Sequence, residues 1–207
     1  MRFLRHVALV GAIVLVGPPL CAATLATDGQ ATAIIVTSPD AILSEQTAAR
    51  ELAEYLGKVT GATFAVVSEP GAPADGCQIF VGATQAAAAH GVDVSALGAE
   101  EWVMRAVGED LILAGGRPRG TLYAVYRFLE DVVGVHWWNP WEESVPSLAT
   151  LTVEDLDRQG QPVFRYRDIY MLYGNDGGRF AARNRLNRQG DAPIAAEYGG
   201  GRDYGPP

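Results

Sequence analysis

The stretch GGRPRGT, residues 115–121, combines glycines with two arginines, which are residue types that bind phosphate and other anions. A Walker-type phosphate loop needs a lysine directly before the Ser or Thr, and Gly120 stands there instead. The glycine spacing also departs from the G-x-G-x-x-G pattern of dinucleotide sites. Arg117 and Arg119 at a helix N-terminus could still attract an anion. We favour a packing role, in which the glycines permit tight chain reversal and Gly120 lets a helix approach a sheet closely.

Other residue types with catalytic or metal-binding chemistry are scarce. Beyond the first 23 residues the only cysteine is Cys77, and the only histidines are His90 and His136. This composition argues against an intramolecular disulfide, a zinc site and a Ser-His-Asp triad. We therefore expect neither a cofactor nor a metal ion.

The N-terminus has the layout of a secretory signal peptide. Arg2 and Arg5 precede an apolar run from Val7 to Gly17, and small residues before Thr24 suit cleavage at that point. The apolar run is about half the ~20 residues that a membrane-spanning helix needs, so we expect no stable membrane anchor. Residues 1–23 are thus predicted to be a signal peptide, and the protein is predicted to be periplasmic or extracellular.

Charge divides the remaining chain into two parts. Without the signal peptide, 14 basic side chains stand against 24 acidic ones, a balance that opposes nucleic-acid binding. Residues 24–162 carry seven basic and 19 acidic side chains, whereas residues 163–207 carry seven arginines and five acids. The shift predicts a domain boundary near residue 160. We assign residues 24–158 to a first domain and residues 159–207 to the start of a second.

Hydrophobic periodicity predicts two main helices. The first follows Ser44, placed as an N-cap, and ends at Gly61. The second begins at Thr121, and its apolar face comprises Leu122, Val125, Tyr126, Leu129, Val132 and Val133. Strands are predicted at ATAIIVTS, TFAVV and CQIFVG, a short helix at ATQAAAAHG, and a hairpin at EWVMRAVGEDLILAGG. This order favours an α+β fold, a mostly antiparallel sheet with two main helices on one face.

Four stretches of the sequence together resemble a known accessory domain. They are SEQTAARELAEYLGKVTGATF, IFVG, LILAGGRPRGTLYAVYRFLEDVVGVHWW and ESVP. They are similar to the domain that precedes the catalytic barrel in bacterial α-glucuronidases, and a related domain occurs in family 20 β-hexosaminidases. The resemblance covers roughly residues 31–150 and implies a small α+β layer without catalytic residues, packed beside a barrel.

The next segment, PVFRYRDIYMLY (residues 162–173), resembles the first strand of the catalytic (β/α)8 barrel of these enzymes. The matching arginine of the hexosaminidases binds sugar hydroxyls, which makes Arg167 the first candidate for substrate binding. A guanidinium suits hydroxyls and suits a uronic carboxylate better, while an ion pair with Asp168 or another acid is the structural alternative. The loop that follows, YGNDGGRFAARNRLNR, resembles the loop after the first barrel strand of α-glucuronidases. This resemblance implies Asn175 and Asp176 as further substrate-binding candidates, with a plain surface loop as the alternative.

The chain is short for such an enzyme. A complete barrel takes about 250 residues, and 45 remain from Val163 to Pro207. Glycoside hydrolysis needs a placed pair of carboxyl groups, and no motif here nominates one, so we assign no catalytic residue. We interpret the chain as the N-terminal portion of a secreted glycoside hydrolase, such as one of α-glucuronidase-like activity, that is non-catalytic by itself and ends in an incomplete barrel. Its expected partners are carbohydrate and the rest of the barrel.

A protein of another class would fit the same sequence. The alternative is a stand-alone exported carbohydrate-binding or interaction module. Its HWWNPW aromatics, residues 136–141, would then stack on sugar rings, or they would pack at a domain interface.

Overall fold

The computed structural model describes residues 22–73, 75–169, 178–188 and 194–201, and in these it has three sheets and four α-helices. The first elements are β1 (Ala22–Thr27), β2 (Gln30–Ala31), β3 (Ala33–Thr37), α1 (Leu43–Thr60), β4 (Val66–Ser68), β5 (Cys77–Val81) and α2 (Gln85–Ala89). The later elements are β6 (Trp102–Val107), β7 (Asp110–Gly115), α3 (Gly120–Phe128) with a π-helical turn (Leu129–Val133), β8 (His136–Trp137), β9 (Glu143–Ser144), β10 (Leu151–Glu154), β11 (Asp157–Gly160) and α4 (Arg179–Arg183).

The main sheet has six strands in the order β11-β6-β7-β5-β3-β4. Strands β4, β3, β5 and β7 pair in parallel, and β6 and β11 add antiparallel pairs at one side. The prediction of a mostly antiparallel sheet is therefore wrong for this sheet, which is mixed. The reason is that α1 is a crossover helix, which returns the chain so that β3 and β4 run in the same direction. The combination of sheets and helices is consistent with the predicted α+β class.

The two faces of the main sheet bury different partners. Side chains alternate along a strand, so Ile35 and Ile79 join one core with α1 and α3, whereas Val36 and Phe80 join a second, smaller core with Ala87 of α2. The prediction of two main helices on one face is confirmed. This larger core also receives apolar side chains of β1 and β10.

Helix α1 follows the predicted period, and its predicted apolar face is fully buried: Ala48, Leu52, Tyr55, Leu56 and Val59. Gly61 ends the helix at φ 77°, where its N–H donates to the Gly57 carbonyl at 2.8 Å, as predicted. The Ser44 prediction is wrong, because the helix begins at Leu43 and the Ser44 hydroxyl donates to the Pro118 carbonyl at 2.6 Å. The hydroxyl therefore holds the Gly-Arg loop (residues 115–120) against α1.

The Gly-Arg loop is packed too tightly for any other residue type at three positions. A Cβ atom at Gly115, Gly116 or Gly120 would lie less than 3.0 Å from backbone atoms. The loop N–H groups are also used internally, since Gly116 donates to the Glu101 carbonyl at 2.9 Å and Gly120 donates to the Gly116 carbonyl at 2.7 Å. The predicted packing role of these glycines is confirmed.

The N-terminal strand was not expected from the sequence. Strand β1 pairs with β10 and with β2 in a three-stranded antiparallel sheet, and Ala22 and Ala23 belong to it. The remainder of the expected signal peptide, residues 1–21, lies outside the described residues, so the signal peptide stays a prediction. Strand β11 extends the main sheet to Gly160, and thus runs across the proposed division between residues 158 and 159.

The expected barrel strand does not form a strand over residues 162–169. Residues 170–173 of that segment lie outside the described residues, so the start of a barrel also stays a prediction. The described parts that follow, α4 and a 3-10 turn at Ala196–Tyr198, pack onto α1 and α3.

Gly120 provides a test of this packing. We expect Gly120→Ala to lower the free energy of unfolding by about 3 kcal/mol, because the new methyl group would overlap the Glu101 carbonyl and the backbone of Gly115. Gly71→Ala is the matched control, since no atom lies within 4 Å of a Cβ there, and it should change stability by about 0.5 kcal/mol at most. Urea denaturation measures both. Equal stability of the two variants would contradict the packing role.

Candidate functional site

Arg167, the first substrate-binding candidate, lies in a polar cluster centred on Glu100. Its Nη2 donates to Glu100 Oε1 at 2.9 Å and to the Tyr123 hydroxyl at 3.1 Å. Its Nε donates to the Arg185 carbonyl at 2.7 Å, and its Nη1 donates to the Phe164 carbonyl at 2.6 Å. The side chain is only 13% exposed. The ion pair that the sequence left as the structural alternative is therefore present, with Glu100 rather than Asp168 as the acid.

Glu100 is shared between the two parts of the chain. It accepts a hydrogen bond at 3.0 Å from Arg119 Nε of the Gly-Arg loop, and one at 3.2 Å from Asn187 Nδ2 beyond α4. Burial alone would raise the pKa of Glu100, but the hydrogen bond from Arg167, the charges of both arginines and the amide of Asn187 outweigh it and lower that pKa. Glu100 is therefore a partly buried anion stabilised by two cations.

Both arginines of the Gly-Arg loop are engaged with acids. The Arg119 side chain is 3% exposed and bonds to Glu100. Arg117 forms a two-point ion pair with Glu45 of α1, with distances of 3.0 and 2.9 Å. The loop therefore uses its charge to join β7, α1 and the turn before β6.

A second acid, the buried Glu51 of α1, holds the helix α4. Arg179 Nε donates to Glu51 Oε1 at 2.8 Å, and Arg183 Nε donates to Glu51 Oε2 at 3.1 Å. The Glu51 side chain is 3% exposed. Arg185 pairs in the same way with Glu130 of the π-helical turn. Four arginines of the later part, namely Arg167, Arg179, Arg183 and Arg185, therefore contact acids of the earlier part.

The other two predicted substrate contacts, Asn175 and Asp176, lie outside the described residues. Arg167 is thus the only one of the three that the structure places.

The sequence motif HWWNPW forms a hairpin that borders an open cleft. We call residues 138–142, between β8 and β9, the aromatic loop, and the cleft of about 270 Å³ beside it the Trp141 cleft. Its lining includes Trp141, Glu142, Glu54, Lys58, Arg179 and Arg183. This cleft was not predicted as a site, because its walls come from three segments that are far apart in sequence.

The described residues show neither a metal-binding cluster nor a membrane-spanning helix. No group of three or more His, Cys, Asp or Glu side chains is arranged to hold a metal ion there. No helix in the same ranges is both long enough and apolar enough to cross a membrane.

No family model matches the chain, and no curated protein sequence is significantly similar to it. Among solved structures, a GH115 4-O-methyl-α-glucuronidase with specificity for decorated arabinogalactans is similar, with a TM-score of 0.58 and 20% identity over 81% of this chain. A Streptomyces plicatus β-hexosaminidase has a TM-score of 0.47 and 14% identity over 83% of this chain and 31% of its own. The GH20 exo-β-N-acetylglucosaminidase of Vibrio harveyi has a TM-score of 0.49 and 14% identity over 81% of this chain and 22% of its own.

The fold is accordingly one that occurs in a glycoside hydrolase, the GH115 protein. The chain spans 26% of the length of the GH115 protein. At this level of identity the likeness concerns the fold and does not extend to activity.

The Glu100 cluster predicts how stability depends on pH. A carboxylate whose pKa is lowered on folding contributes stability that is present above its unfolded pKa of ~4.3 and is lost as the pH falls through the folded value. We expect the urea midpoint of the protein to fall as the pH is lowered from about 5.5 to about 3, and Glu100→Gln to reduce this slope.

Glu109→Gln, which removes one negative charge at an exposed turn, is the control and should keep the original slope. The same slope in all three proteins would contradict an ionised Glu100 in the folded state.

Proposed function

We propose that this chain is the N-terminal, non-catalytic portion of a secreted glycoside hydrolase. The observation that carries the proposal is the fold likeness to the GH115 α-glucuronidase, which extends over 81% of this chain but only 26% of that protein. The remaining length of such an enzyme would supply the catalytic carboxyl groups. The resemblance of the Gly-Arg loop and the aromatic motif to the accessory domain of α-glucuronidases supports the same function.

The ion pairs of the later segment also support this proposal. Arg167, Arg183 and their acid partners fix the chain that leaves the main sheet in one position. A rigid connection of this kind would hold an accessory domain in a defined orientation beside a barrel. The proposed substrate class is polysaccharide or oligosaccharide. An α-glucuronidase-like activity is one activity of this kind of enzyme.

Arg167, Asn175 and Asp176 are retained as proposed substrate contacts. For Arg167 the structure sets a condition: every nitrogen of its guanidinium already donates to a protein acceptor, so a substrate would have to use the remaining N–H of Nη1 or displace one of these acceptors. Glu100 would then be a positioning residue rather than a substrate contact.

A second candidate function is a stand-alone exported carbohydrate-binding module. Its supporting observation is the exposure of two tryptophans in the aromatic loop, Trp138 at 65% and Trp141 at 73%. Large exposed aromatic side chains close together are typical of binding surfaces.

The two functions differ in whether a catalytic barrel is part of the protein: the first needs one beyond this chain, and the second needs none. The test is to read the coding frame beyond the codon for Pro207 and to express both this chain and the whole frame. We expect this chain to hydrolyse no aryl glycoside, and the product of the whole frame to hydrolyse at least one of a panel that includes aryl glucuronides and aryl N-acetylglucosaminides.

Hydrolysis by this chain alone would contradict its non-catalytic role. A frame without a barrel-sized continuation would favour the binding module instead.

A further inference from the structure

The Trp141 cleft lies where three segments meet on the surface. Glu54, Lys58 and the edge of Tyr55 come from the last turns of α1, Trp141 and its neighbours come from the aromatic loop, and Arg179 and Arg183 come from α4. Its volume of about 270 Å³ is close to the lower end of the range for small-molecule sites. The dimensions therefore suit a small ligand, or one residue of a longer one.

One wall of the cleft is an exposed aromatic side chain. Trp141 is 73% exposed and lines the cleft, whereas Trp138, exposed to a similar degree, is not part of the lining and stacks on His136. An exposed indole face is apolar but is surrounded here by charged and amide groups. This combination suits a molecule with one face of C–H groups and a rim of hydroxyls.

The aromatic loop is held in a fixed conformation. Asn139 Oδ1 accepts hydrogen bonds at 2.9 Å from the N–H groups of both Trp141 and Glu142, and Asn139 Nδ2 donates to Glu142 Oε2 at 2.6 Å. Beneath the loop, Trp137 is buried, and its Nε1 donates to the Tyr55 hydroxyl at 2.8 Å. Because the loop backbone is already ordered, less conformational entropy would be lost when a ligand stacks on Trp141.

The charges that line the cleft are balanced and paired with one another. Lys58 Nζ lies 2.9 Å from Glu54 and 2.8 Å from Glu143. Arg179 lies 3.3 Å from Glu54, and Arg183 lies 3.8 Å from Glu143.

The protonation states follow from these contacts. Burial would raise the pKa of Glu143, but hydrogen bonds from Lys58 and Tyr55 lower it, and the pKa of Tyr55 is raised to about 12 by burial and by its bond to Glu143. Glu143 is therefore ionised and Tyr55 protonated at neutral pH. Among the described residues that line the cleft, acids match basic side chains in number, so these residues offer no surplus positive charge to attract an anionic sugar.

We propose that the Trp141 cleft binds a neutral saccharide residue. The sugar ring stacks on Trp141, and its hydroxyls exchange hydrogen bonds with Asn139, Glu142 and Arg179. The inference rests on the proposed function for its ligand class, and it adds a carbohydrate site that is separate from Arg167. Such a site would hold a polysaccharide against the accessory domain while a barrel acts elsewhere on the same chain.

The test is a titration of this chain with neutral probes, namely xylotetraose, galactotetraose and N,N′-diacetylchitobiose, and with glucuronic acid as the anionic probe. Isothermal calorimetry gives Kd, and tryptophan fluorescence reports on the loop. We expect saturable binding of at least one neutral probe, with a Kd that changes little between about 50 and about 500 mM NaCl.

Matched variants identify the site. Trp141→Ala should weaken binding at least about tenfold, as truncation of a central aromatic contact does, whereas Trp141→Phe should retain most of it. Trp138→Ala removes an equally exposed tryptophan of the same loop and should leave Kd within about twofold of the original value. Both positions are exposed, so these variants should keep the circular dichroism spectrum of the parent chain.

The proposal is overturned if no neutral probe binds, if Trp138→Ala and Trp141→Ala weaken binding equally, or if glucuronic acid alone binds in a salt-dependent way. None of these results bears on whether the whole coding frame hydrolyses glycosides, so a failure of this inference is distinct from a failure of the proposed function.

Discussion

Two glutamates that lie largely out of solvent determine how the later part of the chain is arranged. Glu51 is buried, with a side chain 3% exposed, and Glu100 is partly buried, with a side chain 12% exposed. A carboxylate withdrawn from water is stable only when cations and other donors surround it, and the loss of one partner of a buried pair costs about 3–5 kcal/mol. Glu100 receives Arg119 and Arg167, and Glu51 receives Arg179 and Arg183. Three of these four arginines belong to the segment after residue 160.

The compositional change near residue 160 therefore marks an electrostatic interface within a packed unit. The acidic earlier part and the arginine-rich later part complement each other across the helical face. This arrangement explains why Arg167, Arg179, Arg183 and Arg185 need no anionic ligand to account for them. It also bears on function, because the same pairs that stabilise the fold fix the position of Arg167, and they leave the Trp141 cleft electrically balanced.

Local patterns in the sequence predict much of the secondary structure but little of how the strands pair with one another. The apolar periods of α1 and α3 and the β6–β7 hairpin depend on neighbouring residues, and their existence was predicted correctly. Strands β1 and β10 pair across a sequence separation of 128 residues at Thr24 and Thr152, which no local pattern reveals. The direction of β4 relative to β3 likewise depends on how α1 returns the chain. Ser44 has the right type for an N-cap, but a tertiary bond to Pro118 uses its hydroxyl instead.

In the candidate sites, too, single residues could be predicted from the sequence, whereas their distant partners could not. Arg167 was singled out from a resemblance, and its partner Glu100 lies 67 residues away. The aromatic motif was visible in the sequence, yet the acids and cations that complete the cleft come from α1 and α4. A site assembled from distant segments is recognised only when their packing is known.

The central claim is that Glu51 and Glu100 hold the arginine-rich segment in place, and Glu51 tests it most directly. Glu51→Gln should lower the free energy of unfolding by about 3 kcal/mol and make Arg179 and Arg183 early sites of trypsin cleavage, because two arginines lose their buried anion. Glu54, on the same helix as Glu51, forms only a half-exposed pair with Arg179, so Glu54→Gln should cost at most about 1 kcal/mol and leave cleavage unchanged. Equal stability and equal cleavage in the two variants would contradict the account.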